Sequence, residues 1–312
     1  MPQVRPATRS LTPPVPAIWI AGIGAGLLAA ALWGGGAVVA RHLVTQKLAP
    51  LDLAFLRYAG CFPVALLLYL NGYGTVLAGL GWWRFLILLL LAGPPYHLLV
   101  LSGYQFAGAG GGTLIICGLL PVFALALTAG HCNRLCWCSR LTSSALICLG
   151  LVVLALATPG MAGTTATVTP KGLVIFALAA LAWAILNQLV TRWNVDALGL
   201  TIALGLSAPV FLPLYFVMLG EVSLPAAPLP ELLLQMAYHG VGVAFGATFL
   251  FFLAVQRAGP QVASNLQALA PAFATGLGVL LLGEPFTVGT TLAALTIVVG
   301  IAMATASIGP VS

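Results

Sequence analysis

Charged residues are what this sequence lacks most. Only 5% of its 312 residues are charged and only five are acidic, whereas an ordinary globular domain carries roughly 25% charged residues. So few charges cannot cover the surface of a water-soluble fold, which excludes a soluble enzyme or binding module. The net charge of +6 comes from single basic residues scattered along the chain. Without a basic cluster, we expect no nucleic-acid partner.

Apolar residues make up 61% of the chain. A bilayer core requires roughly 20 apolar residues per spanning helix. The apolar runs are continuous rather than alternating, which favours helices over barrel strands. The sequence therefore predicts an all-α polytopic membrane protein, solvated by the lipid bilayer, with ten transmembrane helices. These lie at 17–39, 51–70, 85–105, 109–130, 141–158, 172–191, 198–219, 232–255, 261–282 and 286–306.

The distribution of basic residues predicts the orientation. Residues 1–16 are rich in proline and are expected to form a disordered cytoplasmic tail, with residues 307–312 as the other tail. A cleaved signal peptide is disfavoured because the apolar run from Ala17 to Ala40 exceeds the usual 7–15 residues. With the N-terminus inside, the inner segments hold Arg5, Arg9, Arg84, Arg134, Arg140, Arg192 and Arg257, and the outer segments Arg41, Lys47 and Lys171. The positive-inside rule then predicts a multi-pass protein of the inner or plasma membrane with both termini cytoplasmic.

An internal repeat divides the chain into two halves. The segment "LAAALWGG" resembles "LAALAWAI", and "CGLLPVFALAL" resembles "QALAPAFATGL". One constant shift of 150 positions aligns four pairs: Trp33 with Trp183, Pro63 with Pro213, Pro121 with Pro271, and Gly150 with Gly300. We interpret 17–158 as the first repeat, 159–171 as a linker and 172–306 as the second repeat. Five helices in each repeat mean that the second half enters the membrane from the opposite side.

Inverted repeats are a design typical of secondary transporters, with the substrate site near the bilayer midplane at the repeat interface. The sequence therefore predicts a transporter that works by alternating access. No Asp or Glu lies deep in a predicted span, so proton coupling by a buried carboxylate lacks an evident carrier. The small-residue spacings Gly22 to Gly26 and Gly242 to Gly246 permit tight helix packing and are compatible with a homodimer without requiring one.

Several segments also resemble a known family. The first helix "ALWGGGAVVARHL", the motif "FLRYAG" and the stretch "QRAGPQVASNLQALAPAFATGLGVLLLGEPFTVGTT" are similar to the EamA-type ten-helix members of the drug/metabolite transporter superfamily. The resemblance covers nearly all of residues 17–306. It implies a permease or exporter of small organic metabolites, such as amino acids or related compounds. It names no substrate, because the family is broad in what it moves.

Polar and aromatic residues within the predicted spans are the candidates for a substrate path, because buried polar groups in membranes usually face the bundle interior. The substrate-binding candidates are Trp33, Arg57, His97, Tyr104, Trp183, Asn187, His239, Asn265 and Gln267. For each of them, helix packing is the alternative role. Arg57 in particular could snorkel to the membrane surface or attract an anionic or zwitterionic substrate.

Prolines and one acidic turn mark the expected helix interruptions. Pro94, Pro121 and Pro271 are predicted to break or kink their helices, and Pro271 should release the backbone carbonyl of Gln267. Glu284 lies between Gly283, which suits a helix C-terminus, and a proline that suits the start of the next helix. We interpret Glu284 as a cap of this turn, with gating of transport as the alternative.

The residues also bear on three other functions. The loop containing His131, Cys132, Cys136 and Cys138 has ligand types that suit zinc or copper, but its spacing does not match the usual two-cysteine pairs, and neither metal nor cofactor is predicted. A membrane-embedded hydrolase is the main alternative to a transporter. The chain has no HExxH motif, no phosphate-binding loop and no aspartate pair, and Ser102 lacks the surroundings of a nucleophile. A non-transporting scaffold would not require inverted repeats.

Overall fold

The structure, a computed structural model, describes residues 15–44, 50–128, 134–157, 169–210, 228–283 and 287–308. Within these ranges the chain is helical and contains no strand. The α-helices are α1 (Val15–Val44), α2 (Pro50–Leu70), α3 (Trp82–Ala92), α4 (Pro94–Thr128), α5 (Arg134–Ala157), α6 (Pro170–Arg192), α7 (Ala197–Leu206), α8 (Leu229–Gln235), α9 (Thr248–Ala258), α10 (Pro260–Gln267), α11 (Ala270–Leu282) and α12 (Val288–Ile308). A π-helix, π1 (Met236–Ala247), joins α8 to α9.

These helices are built for a bilayer. Six helical stretches of the described residues are long and apolar enough to cross a membrane: Ala17–Gly36, Trp82–Val100, Trp137–Ala157, Pro170–Arg192, Leu229–Ala258 and Pro260–Leu281. Large apolar side chains also face outward, with Leu156 and Val288 each 77% exposed. Such side chains are costly in water but suit lipid. The predicted all-helical, multi-pass membrane architecture is therefore confirmed.

The long helix α4 does not run straight. A Cβ added to Gly103 would lie 2.7 Å from Cζ of Phe176, and one added to Gly112 would overlap the same atom. Residues nine apart in a straight helix are about 13.5 Å apart along its axis. The chain must therefore reverse between Gly103 and Gly112, so that both limbs of α4 pack on α6. This reversal falls where the sequence predicted the boundary between the third and fourth spans.

The helices α5 and α12 meet in a reciprocal contact. A Cβ on Gly150 would approach Ile297 Cγ1 at 2.6 Å and the carbonyl oxygen of Ala293 at 3.0 Å. A Cβ on Gly300 would approach Ile147 Cγ1 and the carbonyl oxygen of Ser143, both at 3.0 Å. Each contact is the other shifted by 150 positions, which is the pattern of a two-fold interface. Near the start of α12, a Cβ on Gly289 would lie 2.7 Å from Cβ of Ala157 at the end of α5, so the two helices run antiparallel.

Two further pairs related by the same shift lie in contact at the centre of the bundle. The rings of Trp33 on α1 and Trp183 on α6 are 6.4 Å apart. The thiol of Cys117 on α4 lies 3.8 Å from the carbonyl oxygen of Gln267, 150 positions away at the end of α10. The close approach of these pairs places the interface between the two halves of the sequence along α1, α4, α6 and α10.

Local sequence sets several helix ends. Thr169 caps α6 by accepting a hydrogen bond from the amide of Gly172 at 3.2 Å, ahead of Pro170 at the first helical position. The Asp196 carboxylate accepts from the amide of Gly199 at 2.6 Å at the start of α7. Gly283 ends α11 with φ of 66°, which is the left-handed conformation that the sequence predicted there.

Candidate functional site

A cleft opens between helices of both halves of the chain. Its walls are α2, the junction of α3 and α4, α6, α7 and the join between π1 and α9, and it contains about 390 Å³ of empty space, part of it open to the outside. The lining residues are Arg57, Tyr58, Cys61, Ala92, Gly93, His97, Trp183, Thr201, Leu204, Gly205, Ala244 and Thr248.

Trp183 connects the cleft to a group of aromatic rings, which we call the aromatic floor: Trp33, Tyr96, Trp183, Phe251 and Phe252. The ring of Trp183 lies 5.1 Å from Tyr96, 5.7 Å from Phe251 and 6.3 Å from Phe252. Trp33 completes the group, 5.3 Å from Phe251. Phe251 and Phe252 are completely buried, while Trp183 keeps 6% of its surface exposed and lines the cleft. Trp183 is therefore the ring of this group that faces the cleft, and the other rings support it from behind.

A hydrogen bond joins two walls of the cleft. The Tyr58 hydroxyl on α2 lies 2.8 Å from Nδ1 of His97 on α4. The same nitrogen lies 3.2 Å from the carbonyl oxygen of Gly93, which already accepts the backbone amide of His97 at 3.3 Å. Nδ1 can be a donor or an acceptor, but not both at once. The shorter distance favours Tyr58 as the donor to Nδ1.

The position of His97 follows from the interruption beside Pro94. Helix α3 ends at Ala92, Gly93 is extended, and α4 begins at Pro94. This break turns the chain so that Gly93 and His97 both line the cleft. Proline is suited to the first turn of a helix because its missing N–H has no partner to lose there.

Arg57 is the one charged residue among the described residues that line the cleft. It is close enough to His97 and His239 to interact with both electrostatically. The hydroxyls of the two lining threonines turn to nearby backbone carbonyls: Thr201 donates to the carbonyl of Ala197 at 2.8 Å, and Thr248 lies 3.5 Å from that of Val243. Their oxygen lone pairs stay available as acceptors.

The predicted amide residues lie beside the cleft. Asn187 on α6 donates to Ser264 on α10 at 3.3 Å, and Gln261 donates to the side-chain oxygen of Asn265 at 3.2 Å. Asn187 and Asn265 are both essentially unexposed. Neither residue lines the cleft. The Asn187 contact joins α6 to α10, whereas the Asn265 contact lies within α10.

Gln267 sits at a helix interruption. Helix α10 ends there, α11 begins at Ala270, and Pro271 occupies its first turn. The carbonyl oxygen that Pro271 leaves without a helical partner instead faces the thiol of Cys117 at 3.8 Å. The side-chain oxygen of Gln267 is buried and has no hydrogen-bond partner among the described residues.

The remaining candidates are placed as follows. His239 on π1 lies against α1, where a Cβ on Gly36 would be 3.3 Å from its ring, and its Nε2 finds no partner in the described part of the chain. Pro121 lies inside α4, and its carbonyl accepts from Gln261 at 3.3 Å. The Tyr104 side chain and all of Glu284 fall outside the described residues.

The cysteine-containing loop is described only at its end. His131 and Cys132, together with the side chain of Cys136, fall outside the described residues. Cys138 is an exposed free thiol on α5. The expectation that this loop binds no metal therefore stays a prediction.

Sequence reasoning did not select several residues that the structure places at the site. Tyr58, Thr201 and Thr248 line the cleft, and Phe251 and Phe252 lie in its floor. Tyr58 follows Arg57 directly in the quoted motif "FLRYAG", so that motif could have indicated it. The other four carry no sequence signal, because threonine and phenylalanine are ordinary packing residues of membrane helices.

Comparisons with known proteins agree with this architecture. A solved structure described only as "Crystal structure of protein" superposes with a TM-score of 0.74 over 92% of this chain and 97% of that one, at 20% identity. That similarity shows the fold alone. None of the curated proteins compared with the chain matches it. Residues 170–306 match the family model described as the EamA-like transporter family. This match identifies the second half of the chain as similar to the EamA-like transporter family, which supports membership of the drug/metabolite transporter superfamily.

Proposed function

We propose that the protein is a secondary transporter that moves small organic metabolites across the cytoplasmic membrane, with both termini in the cytoplasm. The observation that carries the proposal is the cleft, because α2 and the junction of α3 and α4 come from the first half of the chain, whereas α6, α7 and π1 come from the second. A site between two repeats is where secondary transporters bind their substrates.

Alternating access in this proposal uses two inverted five-helix repeats. The antiparallel, reciprocal packing of α5 on α12 supports inversion, because a two-fold axis that relates antiparallel helices is perpendicular to them. In this proposal the helices form ten spans. Helix α3 and the first limb of α4 form one span, and the second limb of α4 forms the next. Helices α8, π1 and α9 form one span, and α10 and α11 form another. Two arrangements of similar energy, one open to each side, are then built from one set of contacts.

In this proposal the helices bend at their interruptions during transport. The break at Gly93, the π-helix π1 and the break between α10 and α11 all lie in or beside the cleft walls. Interruptions of this kind allow helices to bend locally. In contrast, α5 and α12 pack backbone to backbone through Gly150 and Gly300. We propose that α5 and α12 stay together while the walls around the cleft rearrange.

The test is flux from proteoliposomes loaded with labelled amino acids, organic acids, nucleosides, sugars and amines, read by mass spectrometry. Wild-type protein should release one class faster than empty liposomes. Trp183→Ala should reduce that flux at least tenfold while the protein still folds, because Trp183 joins the cleft to its floor. Trp82→Ala is the matched control, since Trp82 is 67% exposed and lies away from the cleft.

Two outcomes would contradict the proposal. Folded protein that releases no class of compound would remove the assignment to transport. Hydrolysis of lipid or peptide that disappears in Ser102→Ala would instead support the membrane hydrolase. The structure gives that serine an exposed position and a hydrogen bond to the carbonyl of Leu99 at 2.7 Å.

A further inference from the structure

Three arginines lie at the same end of the helical bundle, and we call them the arginine cluster: Arg84, Arg192 and Arg257. Arg84 is in the first turn of α3, whereas Arg192 and Arg257 are in the last turns of α6 and α9. The guanidinium of Arg84 lies 5.5 Å from the centre of the Trp193 ring, and Trp193 follows Arg192 directly. Two of the three arginines therefore meet at the end of α6.

The third arginine reaches the same place through α9. The side-chain amide of Gln256 donates a hydrogen bond to the carbonyl oxygen of Val195. Val195 belongs to residues 193–196, the short link between α6 and α7, and Arg257 follows Gln256. The arginine cluster therefore surrounds this link. A topological bias toward arginine on one side of a membrane does not require such gathering.

The charges of the arginine cluster are exposed and unneutralised. All three side chains are exposed, and none of them forms an ion pair within the described part of the chain. Asp196 is the one acid of the link, and its carboxylate caps the start of α7. The other two acids that the structure describes, Asp52 and Glu231, begin α2 and α8 at the opposite end of the bundle. The end that carries the arginine cluster therefore has an excess of positive charge.

Aromatic side chains show where this end lies relative to a membrane. Tyr69 and Tyr73 lie at the end of α2 and just beyond it, and Trp82 and Trp83 open α3. All four are exposed, from 37% for Tyr69 to 67% for Trp82. Tyrosine and tryptophan concentrate at the level of the lipid headgroups. The arginine cluster therefore lies at the depth of the lipid phosphates.

Helix α3 turns an apolar face outward below that level. Trp82, Leu86 and Leu90 recur at every fourth position and are all exposed. Side chains four residues apart share one face of a helix. This stripe begins in the same turn as Arg84. A phospholipid with its headgroup at Arg84 would thus have an apolar surface for an acyl chain.

We infer that the arginine cluster binds the headgroup of an anionic phospholipid, with an acyl chain along the outer face of α3. The guanidinium group matches phosphate oxygens in a bidentate geometry. A basic residue near an anionic membrane surface raises affinity roughly fivefold, so three of them favour an anionic lipid by on the order of 100-fold. The bound lipid would hold the ends of α3, α6 and α9 to the link that leads into α7. This inference does not depend on the proposed function.

The experiment is native mass spectrometry of the purified protein in detergent. The protein is titrated with a phosphatidylglycerol and with a phosphatidylcholine that carry identical acyl chains, so that only the headgroup and its net charge differ. We expect the phosphatidylglycerol to be retained at a concentration at least tenfold lower than the phosphatidylcholine. It should also raise the temperature of unfolding, because a ligand that binds the folded state stabilises it.

Variants locate the binding. Arg84→Gln, Arg192→Gln and Arg257→Gln should each weaken retention of phosphatidylglycerol roughly fivefold, and the triple variant should retain both lipids equally. Arg84→Lys should keep most of the preference because it keeps the charge. Lys171→Gln is the matched control, since Lys171 is exposed at the opposite end of α6 and its ammonium also lies over a ring, 4.2 Å from the centre of Phe106. If the triple variant does not fold, the three single variants still decide the question.

Each contrary outcome is distinct. Equal retention of the two lipids by the wild-type protein would overturn the inference. A preference that persists in the triple variant, or that Lys171→Gln weakens as much as Arg192→Gln does, would refute the role of the arginine cluster. Binding of glycerol phosphate as tightly as the lipid would show a site for soluble phosphate compounds instead. None of these results depends on transport, so failure of the inference leaves the proposed function standing, and the absence of flux leaves the inference standing.

Discussion

The reciprocal contact between α5 and α12 yields a quantitative prediction for Gly150. A methyl group there would lie 2.6 Å from Ile297 Cγ1 and 3.0 Å from both the carbonyl oxygen of Ala293 and the amide nitrogen of Ile297. Two of these three atoms belong to the backbone, so a rotamer change alone cannot relieve the overlap. Overpacking of this kind costs about 1–3 kcal/mol.

The net effect of Gly150→Ala includes a helix term of opposite sign. Replacing glycine by alanine inside a helix gains about 1 kcal/mol. Burial of the added methyl contributes little, because lipid is as apolar as the helix interface. We therefore expect a net change between zero and a loss of about 2 kcal/mol from these two terms. Gly300→Ala should cost less, since its methyl would lie 3.0 to 3.1 Å from its three nearest atoms.

Gly24 supplies the matched control. It lies inside α1, and a Cβ there would meet nothing within 4 Å. Gly24→Ala should therefore be neutral or should stabilise the protein by up to about 1 kcal/mol. Unfolding is followed by circular dichroism and tryptophan fluorescence in mixed micelles titrated with sodium dodecyl sulfate. If Gly150→Ala unfolds at the same detergent fraction as Gly24→Ala, the contact between α5 and α12 is not as close as described.

Two smaller predictions concern single hydrogen bonds. Tyr58→Phe removes the donor to His97 at 2.8 Å. It should cost about 1 kcal/mol of stability in the detergent titration, together with a measurable fall in flux. Unchanged stability and unchanged flux would show that the bond is not formed. Asp196→Ala removes the cap of α7 and should cost about 1 kcal/mol, whereas Asp196→Asn should retain most of it; equal loss in both would point to the charge rather than to the cap.

The features that sequence predicts well here depend on the chain's own periodicity. Apolar runs gave the helices because the bilayer imposes helical structure on any long apolar segment. The shift of 150 positions identified Trp33 with Trp183, and the structure brings the two rings to 6.4 Å. It also paired Gly150 with Gly300, which meet the opposite helix in equivalent ways. The repeat in the sequence therefore predicted contacts between these pairs of residues.

The lining of the cleft could not be predicted in the same way. Asn187 and Asn265 are polar residues within spans, yet their hydrogen bonds join α6 to α10 and occur within α10 instead of reaching the cleft. Buried amides serve helix packing and substrate binding alike, and sequence does not separate the two. Thr201 and Thr248 line the cleft although the sequence did not indicate them. The rotation of each helix about its axis decides whether a hydroxyl meets lipid, protein or cleft. That rotation is set by tertiary packing.

The shift of 150 positions can also be applied to the residues that line the cleft. The shift that pairs Trp33 with Trp183 places Arg57 opposite Ser207, Tyr58 opposite Ala208 and His97 opposite Ala247. Packing positions thus keep similar residues in both halves, whereas Arg57 and the hydrogen bond between Tyr58 and His97 belong to the first half. A substrate that binds these groups of the first half would stay with α2 and α4 while the rest of it contacts helices of the second half. In the proposed cycle, α7 and π1 would then move around a substrate that the first half retains.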